Sequence, residues 1–549
     1  MLVSDAVGEV LAGFGTDTVF GVVGSGNFHV TNALVARGAR FVAARHEGGA
    51  ACMADGWARA TGRVGVLTVH QGPGLTNALT GITEAAKSRT PLLVLAADVA
   101  GAAVRSNFRI GVAGLADAVG ATADRLHSPA SAAADTARAY QAALRERRTV
   151  VLAMPLDVQT AQCGAPSVPA LPPRRPALPA ADSAAALAET LASAQRPVFV
   201  AGRGARVAGA RADLEALADA CGALLATSAA AKGLFQGSPW NLDVSGGFAS
   251  PLAAELIGDA DVIVGWGCSL NMWTMRHGRL IGPGTTVVQV DDEVSAIGAH
   301  RPVDLGVLGD AAQTARAALA ALAGRTSAGY RSAGLRERIA REVRWRDVPY
   351  PDDGQAGPDG RIDPRTLTIA LDDLLPADRM VSVDSGNFMG YPSMFLSVPD
   401  EAGFCFTQAY QSVGLGLASA IGAAVAQPGR LPVAALGDGG ALMGISELET
   451  VVRLGLPMVV VVYDDEAYGA EVHHFGPDGH PLDTVRFPAA DIAAIGRGFG
   501  CAGVTVRSPA DLGPVREWLA GPRDRPLVID AKVTSGAGSW WLEEAFRGH

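Results

Sequence analysis

The 549-residue chain has few cysteines, few aromatic residues and few charged residues for its size. Its six cysteines are scattered without a CxxC pair, which argues against a disulfide framework and against a zinc site. The net charge of −10 argues against nucleic acid or an anionic membrane as a partner. The sequence lacks an N-terminal signal of basic and apolar residues, and no uncharged run reaches the length of a membrane span. We therefore expect a soluble, cytoplasmic protein that binds neither nucleic acid nor membrane.

Glycine and short apolar runs are abundant instead. The 67 glycines and 49% hydrophobic residues suit an α/β protein with tight loops and buried cores. Three series of apolar runs alternate with helical patterns, which is typical of parallel sheets covered by helices. The predicted strands are Thr18–Val23, Arg40–Ala44, Val64–His70, Pro91–Ala97 and Thr149–Met154, then Pro197–Ala201, Leu224–Thr227, Asp261–Gly265 and Thr286–Val290, and finally Arg379–Val383, Leu431–Leu436 and Met458–Tyr463.

Two stretches without periodicity divide the chain. Residues 166–182 are rich in proline and alanine, and residues 346–360 contain a run of proline, aspartate and glycine, so both indicate linkers. The sequence therefore predicts three doubly wound parallel-sheet domains, at 1–165, 183–345 and 361–549. The central one is expected to be Rossmann-like.

The stretch 431–471 carries the clearest chemical signal. A short strand ends in a turn of sequence GDGG, a helical pattern follows, and a second strand of β-branched residues ends in two aspartates. Because both strands of a right-handed βαβ unit finish at the same sheet edge, Asp438 and Asp465 should converge there. The glycines, with a helix N-terminus behind them, allow backbone N–H groups to approach an anion. Carboxylates beside a diphosphate need a hard cation between them, which predicts a Mg²⁺–diphosphate site.

This pattern, in which GDG, a helix and an apolar strand precede an acidic pair and then x-x-Tyr-Gly, resembles the signature of thiamine diphosphate (ThDP) enzymes. The resemblance implies that Mg²⁺ is held by Asp438, Asp465 and the carbonyl of Ala467. The family usually has Asn-Asn where this chain has Asp464-Asp465, which adds a negative charge beside the diphosphate. Val413 matches the bulky apolar residue that holds the cofactor in a bent shape, and we expect it to be buried. The expected cofactor-binding positions are Gly437, Asp438, Gly439, Gly440, Ser385, Gly386, Asn387, Val413 and Tyr468.

In the first series, Ser25, Glu47 and His70 each lie at a strand end and should reach one edge of the sheet. By position alone, Glu47 is either a carboxylate that favours a helix start or a catalytic group. The sequence RHEGGAACMADGWARATGR, followed by QGPGLTN, is similar to the pyrimidine-binding half of ThDP decarboxylases and acetolactate synthase-like enzymes. This resemblance implies that Glu47 hydrogen-bonds the aminopyrimidine ring of ThDP and so promotes activation of the thiazolium carbon.

Other polar residues bear on the reaction. ThDP serves as an electron sink when a 2-keto acid loses CO₂, and the acyl carbanion equivalent is then protonated or passed to a second carbonyl compound. Ser25 and His70 match the active-site Ser and His of benzoylformate decarboxylase, and a neutral histidine can shuttle a proton. The structural alternatives are a turn serine and a histidine that caps the next loop. Glu471 resembles the catalytic Glu of pyruvate decarboxylase, although a solvated helical Glu is the alternative, and Gln71 is a candidate for orienting a substrate carboxylate or an acceptor.

The general resemblance to acetolactate synthase-like enzymes makes ligation of the acyl unit to a second carbonyl compound our first hypothesis. A non-ligating 2-keto acid decarboxylase of the benzoylformate type and a ThDP-binding protein without turnover are the alternatives. The central domain has ADVIVGWGCSLNMWTMR where acetolactate synthases have an Arg-containing stretch, so FAD binding is not expected. The family builds its site from two subunits, which implies a homodimer or homotetramer. Trp540, Trp541 and Phe546 of the tail form either a lid over the site or a helix packed on the core.

Overall fold

The computed structural model describes residues 1–168, 170–171, 175–352, 360–536 and 538–545. Within these ranges the chain forms three α/β domains, each built on a six-stranded sheet in which all pairings are parallel. The predicted fold class is therefore confirmed. The domain boundaries and linkers stay a prediction, and residues 169, 172–174 and 353–359 of the linkers lie outside the described residues.

The first sheet has the strand order β2-β1-β3-β4-β6-β5. Its strands are β1 (Thr18–Gly21), β2 (Arg40–Ala43), β3 (Gly65–Val69), β4 (Leu92–Asp98), β5 (Thr122–Arg125) and β6 (Thr149–Pro155). The helices of this domain are α1 (Val3–Gly13), α2 (Phe28–Val35), α3 (Glu47–Thr61), α4 (Pro73–Lys87), α5 (Val112–Ala118), α6 (Ala132–Glu146) and α7 (Leu156–Gln159). All seven residues of β4 are buried, because helices cover both faces of the sheet.

The central sheet has the order β12-β11-β10-β7-β8-β9. Its strands are β7 (Pro197–Ala201), β8 (Leu224–Thr227), β9 (Asn241–Val244), β10 (Val262–Trp266), β11 (Thr286–Asp291) and β12 (Leu305–Leu308). The helices are α8 (Ala181–Ser193), α9 (Arg203–Val207), α10 (Arg211–Cys221), α11 (Pro251–Gly258), α12 (Ala311–Ala321) and α13 (Ala333–Glu342).

The third sheet has the order β14-β13-β15-β16-β18-β17. Its strands are β13 (Arg379–Val383), β14 (Phe404–Phe406), β15 (Leu431–Gly437), β16 (Val459–Asp464), β17 (Ala502–Val506) and β18 (Leu527–Lys532). The helices are α14 (Pro364–Leu374), α15 (Gly390–Phe395), α16 (Gly416–Ala426), α17 (Asp438–Met443), α18 (Glu447–Arg453), α19 (Gly469–Phe475), α20 (Ile492–Phe499), α21 (Gly513–Ala520) and α22 (Trp540–Ala545). The single helical pattern expected after the GDGG turn is two helices, α17 and α18, which are separated at Gly444.

Helices α3 and α16 join the first domain to the third by backbone-to-backbone contact. A Cβ atom at Gly56 would lie 2.4 Å from the carbonyl oxygen of Ser419, and one at Gly422 would lie 1.9 Å from the carbonyl oxygen of Met53. Any side chain at either glycine would push the helices apart, so glycine is what permits this approach. The start of α3 and the start of α16 thereby have fixed relative positions within the chain.

Candidate active site

The two predicted carboxylate ligands meet at the carboxyl edge of the third sheet. Strands β15 and β16 are paired in parallel, with Gly437 opposite Tyr463, so the residues that follow them lie side by side. Burial, together with the charges of Asp465 and Asp464, raises the pKa of Asp438 to about 8. Burial also raises the pKa of Asp465 to about 7. Two carboxyl groups that are costly to ionise without a counter-charge have the character of a cation site.

The loop of residues 464–467, which contains the predicted cation ligands and which we call the metal loop, begins at the end of β16 at this edge. A Cβ at Gly469 would lie 2.2 Å from Oδ2 of Asp465, so glycine leaves the room that this carboxylate occupies. Ala467 is buried and pairs as an isolated bridge with Arg486. No cluster of three His, Cys, Asp or Glu side chains suited to a metal occurs in the described ranges.

The glycine-rich turn rests on Asp384, which follows the predicted strand Arg379–Val383 and begins the stretch 384–387 that was expected to face the diphosphate. A Cβ at Gly440 would lie 2.3 Å from Oδ2 of Asp384. The Asp384 carboxylate accepts the N–H groups of Ser385 (2.9 Å), Gly414 (2.9 Å) and Leu415 (3.3 Å). Burial raises the pKa of Asp384 to about 6 even though these donors lower it. Asp384 therefore ties together three loops at one edge, and its place at the end of a predicted strand was the available signal.

The described part of the C-terminal tail donates hydrogen bonds to Asn387. Oδ1 of Asn387 accepts the backbone N–H and the hydroxyl of Ser539, each at 3.1 Å, and its carbonyl oxygen accepts Nε1–H of Trp541 at 2.9 Å. Trp541 is 7% exposed and packs against Phe248. The tail is thus packed on the third domain, as in the second of the two alternatives, and Phe546 lies outside the described residues.

Other predicted positions lie around the same edge. Tyr468 packs on the turn, since a Cβ at Gly439 would lie 2.7 Å from its ring, and its own ring contacts Phe487. Glu471 is exposed in the first turn of α19. The expectation that Val413 is buried is wrong in the single chain: it is 38% exposed, because it lies on the loop before α16 and faces outward beside Gly440.

In the first domain, Glu47 is the first residue of α3 and is half-buried. Its Oε2 accepts Nδ2–H of Asn77 at 3.0 Å, which fixes the carboxylate orientation. The sequence analysis did not identify Asn77 as a site residue, although the segment 71–77, QGPGLTN, ends with it. No hydrogen bond or ion pair among the described residues joins Glu47 to the metal loop of its own chain.

The third domain nevertheless holds the loop that precedes Glu47, through Glu447 at the start of α18. Oε1 of Glu447 accepts the backbone N–H groups of Arg45 (3.0 Å) and His46 (3.1 Å). Its Oε2 accepts the hydroxyl of Thr450 at 2.7 Å. Glu447 is buried and was also missed, because nothing in the local sequence connects it to residues about 400 positions away.

Ser25 and His70 are brought together as their positions predict. Oγ of Ser25 lies 3.3 Å from Nε2 of His70, and Nδ1 of His70 lies 2.8 Å from the carbonyl oxygen of Gln71. The ring of Phe108 packs edge-on against His70 at 5.3 Å between centroids. The side chain of Gln71 is buried, with Oε1 against Gly26 and without a hydrogen-bond partner among the described residues.

Comparison with known proteins decides the family. The N-terminal, central and C-terminal domains of the thiamine pyrophosphate enzymes match residues 1–118, 184–318 and 384–531. The chain is 32% identical to a probable 2-ketoarginine decarboxylase of Pseudomonas aeruginosa, over 94% of this chain and 91% of that protein. The chain belongs to the acetolactate synthase-like family of ThDP enzymes.

Other relatives of this ThDP enzyme are named for different activities. It is 29% identical to sulfoacetaldehyde acetyltransferase of Castellaniella defragrans, over 99% of this chain and 95% of that protein. It is 28% identical to a putative acetolactate synthase large subunit of Mycobacterium tuberculosis, over 90% of this chain and 92% of that protein. Family membership therefore fixes a ThDP-dependent decarboxylase or acyltransferase and leaves the reaction within that class open.

The residues of the enzyme fit the cofactor. The three glycines of the turn at 437–440 carry no side chains, so their backbone N–H groups can approach a diphosphate. Gly439 and Gly440 also pack closely against Tyr468 and Asp384. The paired carboxylates suit a hard cation. Glu47, held by Asn77, is available to a ring nitrogen.

A cavity of about 570 Å³ lies between the carboxyl ends of β7, β8, β10 and β11 of the central domain and residues of the first and third domains. Arg203 and Asp291 line it, as does Trp541 of the tail. The glycines of the segment 201–207, AGRGARV, allow the backbone to pack closely, since a Cβ at Gly202 would lie 2.3 Å from the carbonyl oxygen of Gly267. The expectation that FAD is not bound stays a prediction. None of the helices in the described ranges combines the length and apolar character needed to cross a membrane.

Proposed function

We propose that this ThDP enzyme uses Mg²⁺, decarboxylates a 2-keto acid and completes the reaction by proton delivery from His70, so that an aldehyde is released. The observation that carries the proposal is the 3.3 Å contact between Ser25 and His70 beside the sheet edge that presents Glu47. This places the non-ligating alternative ahead of ligation, which the sequence alone favoured.

The hydrogen bonds of His70 define its tautomer. A carbonyl oxygen only accepts, so Nδ1, at 2.8 Å from the Gln71 carbonyl, carries the hydrogen. In the neutral ring Nε2 is then the acceptor, and it faces the hydroxyl of Ser25. His70 can therefore take a proton at Nε2 and return it to a carbon that has lost CO₂, with Ser25 relaying between the ring and solvent.

ThDP, when bound, supplies the electron sink for loss of CO₂. Asp438, Asp465 and the carbonyl of Ala467 would hold Mg²⁺ against the diphosphate, and the turn at 437–440 would donate N–H groups to it. Glu47 would hold the aminopyrimidine ring. Glu471, in the first turn of α19, is placed one helix turn beyond the metal loop and would contact substrate from that side.

Two chains would complete each site. Large apolar side chains are exposed around the carboxyl edge of the third sheet, among them Val413, Leu442 and Met443. Exposed apolar surface of this kind favours contact with another protein surface. Because Glu47 is not joined to its own metal loop, a second copy that brings its Glu47 to this edge would both cover the surface and finish the site. This arrangement supports a homodimer or homotetramer.

Acyl transfer to a second carbonyl compound is the second candidate. It is supported by the relatives named as sulfoacetaldehyde acetyltransferase and acetolactate synthase.

A product assay distinguishes the candidates. Purified enzyme with Mg²⁺ and ThDP is incubated with pyruvate, benzoylformate and 2-ketoarginine, and aldehydes and 2-hydroxyketones are quantified by mass spectrometry. We expect aldehyde in excess from at least one of the keto acids. A 2-hydroxyketone as the main product would overturn proton delivery as the final step, and ThDP binding without loss of CO₂ from any 2-keto acid would indicate a protein without turnover.

A further inference from the structure

A buried pair of opposite charges lies directly behind the metal loop. Asp464 and Lys532 are opposite each other in the parallel pairing of β16 with β18, and their side chains form an ion pair. Their side chains are 1% and 5% exposed. Nζ of Lys532 also lies 3.1 Å from Oδ1 of Asp530 and donates to the carbonyl oxygen of Ala490 at 2.7 Å. Lys532 is thus fully engaged below the loop.

The second oxygen of Asp464 shapes the loop itself. Oδ1 accepts the backbone N–H of Glu466 at 3.1 Å. Glu466 has φ +57°, a left-handed conformation that costs a non-glycine residue free energy and persists only where its surroundings hold it. Arg361 supports the same turn, since it pairs with the Glu466 carboxylate at 2.7 Å and donates to the Asp464 carbonyl at 3.2 Å. Asp465 and Ala467, which flank Glu466, are thereby presented toward the cation position.

The charge of Asp464 makes its partner necessary. An asparagine at this position would offer the same acceptor to Glu466 without a charge, whereas the aspartate adds a carboxylate beside Asp438, Asp465 and a diphosphate. Such a charge is tolerated in a buried position only when it is paired. Lys532 lies between Asp464 and Asp530 and offsets the negative charge that Asp464 would otherwise bring to the loop.

We propose that Lys532 is a positioning residue of the metal loop, which acts through Asp464 to hold the turn that presents Asp465 and the Ala467 carbonyl to Mg²⁺. The proposal rests on the Mg²⁺/ThDP site of the proposed function. Without Lys532, the Asp464 carboxylate loses the partner that fixes its orientation, and its hold on the Glu466 N–H weakens.

The test is calorimetric titration of ThDP in the presence of Mg²⁺ into the full-length protein. We expect Lys532→Met to weaken binding about tenfold or more, as loss of a charged hydrogen-bond arrangement does. In the double variant Asp464→Asn with Lys532→Met, the asparagine still accepts the Glu466 N–H and no longer needs a charged partner. We therefore expect its affinity for ThDP to return to within about threefold of wild type. Asp530→Asn is the control, because it changes the other carboxylate partner of Lys532 and leaves the hydrogen bond from the Glu466 N–H to Asp464 in place, and it should bind like wild type.

The outcomes distinguish failure of the proposed function from failure of the proposed role of Lys532. If wild type binds no ThDP with Mg²⁺, the proposed function fails. If wild type binds and Lys532→Met binds equally well, or if the added Asp464→Asn restores nothing, the role of Lys532 is refuted and the function stands. Should Lys532→Met not fold, Asp464→Asn and Asp464→Leu decide: the asparagine keeps the acceptor and should retain affinity, while the leucine removes it and should not. Equal affinities for these two variants would overturn the proposal.

Discussion

Glu447 links the third domain to the segment just before Glu47, and Glu447→Ala removes that link. Its carboxylate is 3% exposed and accepts the N–H groups of Arg45 and His46. A hydrogen bond to a charged group contributes about 1.5–3 kcal/mol, so the two bonds together contribute about 3–6 kcal/mol. Arg45 and His46 are themselves exposed, so water replaces part of the loss. We therefore expect the free energy of unfolding to fall by about 3 kcal/mol, the lower end of that range.

Urea unfolding followed by far-ultraviolet circular dichroism measures this loss, and two variants calibrate it. Glu447→Gln keeps a carbonyl oxygen for the two N–H groups, and we expect a loss of about 1 kcal/mol. Glu449→Ala is the matched control on the same helix, because Glu449 pairs with the Arg45 side chain at 2.6 Å on the surface. An exposed pair of this kind is screened by solvent and contributes little to stability, so we expect Glu449→Ala to change the free energy of unfolding much less than Glu447→Ala.

Turnover gives the second readout. The anchored backbone leads directly into Glu47, and a displacement of about 1 Å at a reacting group can lower the rate about 100-fold. We expect a loss of that order in kcat for Glu447→Ala, and little change for Glu449→Ala. Equal effects of the two alanine variants on stability and kcat would refute the reasoning, because they would show that the buried contact contributes no more than the surface one.

Further predictions concern the cofactor and the reaction. Asp438→Ala removes a cation ligand and should weaken Mg²⁺-dependent ThDP binding about tenfold or more in fluorescence titration; unchanged affinity would exclude it as a ligand. Glu47→Gln should lower kcat by about 10²–10⁴ while the protein still binds ThDP, and undiminished turnover would count against its role. His70→Ala should lower aldehyde formation by a similar factor of about 10²–10⁴, and a parallel loss of ThDP affinity would instead indicate a structural role. Dialysis against a chelator should release ThDP in a manner that added Mg²⁺ reverses.

Which strands could be predicted depended on how they are buried. Interior strands such as β4, β15 and β16 are covered on both faces and therefore form unbroken apolar runs. The strands that were not predicted are mostly at sheet edges, where one side is partly exposed and the apolar run is short or broken. They are β5, β9, β12, β14 and β17. Strand β18 is interior but was also missed, because Asp530 and Lys532 interrupt its apolar sequence with a buried ion pair.

Some residues of the candidate site could be predicted from strand topology, and others could not because their contacts depend on how separate elements pack. The meeting of Asp438 with Asp465 follows from parallel topology alone, since consecutive strands end at one edge. The contacts of Glu447 with Arg45 and of Lys532 with Asp464 depend on how separate elements pack, and residue type at one position does not reveal a partner far along the chain. The exposure of Val413 was mispredicted for a related reason: an apolar residue beside a cofactor turn is buried only when a ligand or a second chain covers it.

The glycine contact between α3 and α16 restricts how this protein can admit its cofactor. Two helices in backbone contact have no side chains between them to slide or rotate, so the first and third domains of one chain behave as a rigid pair. If a second subunit completes the site, as proposed, an opening large enough for ThDP would come from motion between subunits or from release of the segment around Trp541. Loading of the cofactor would then be coupled to assembly, and dilution would favour the apoprotein.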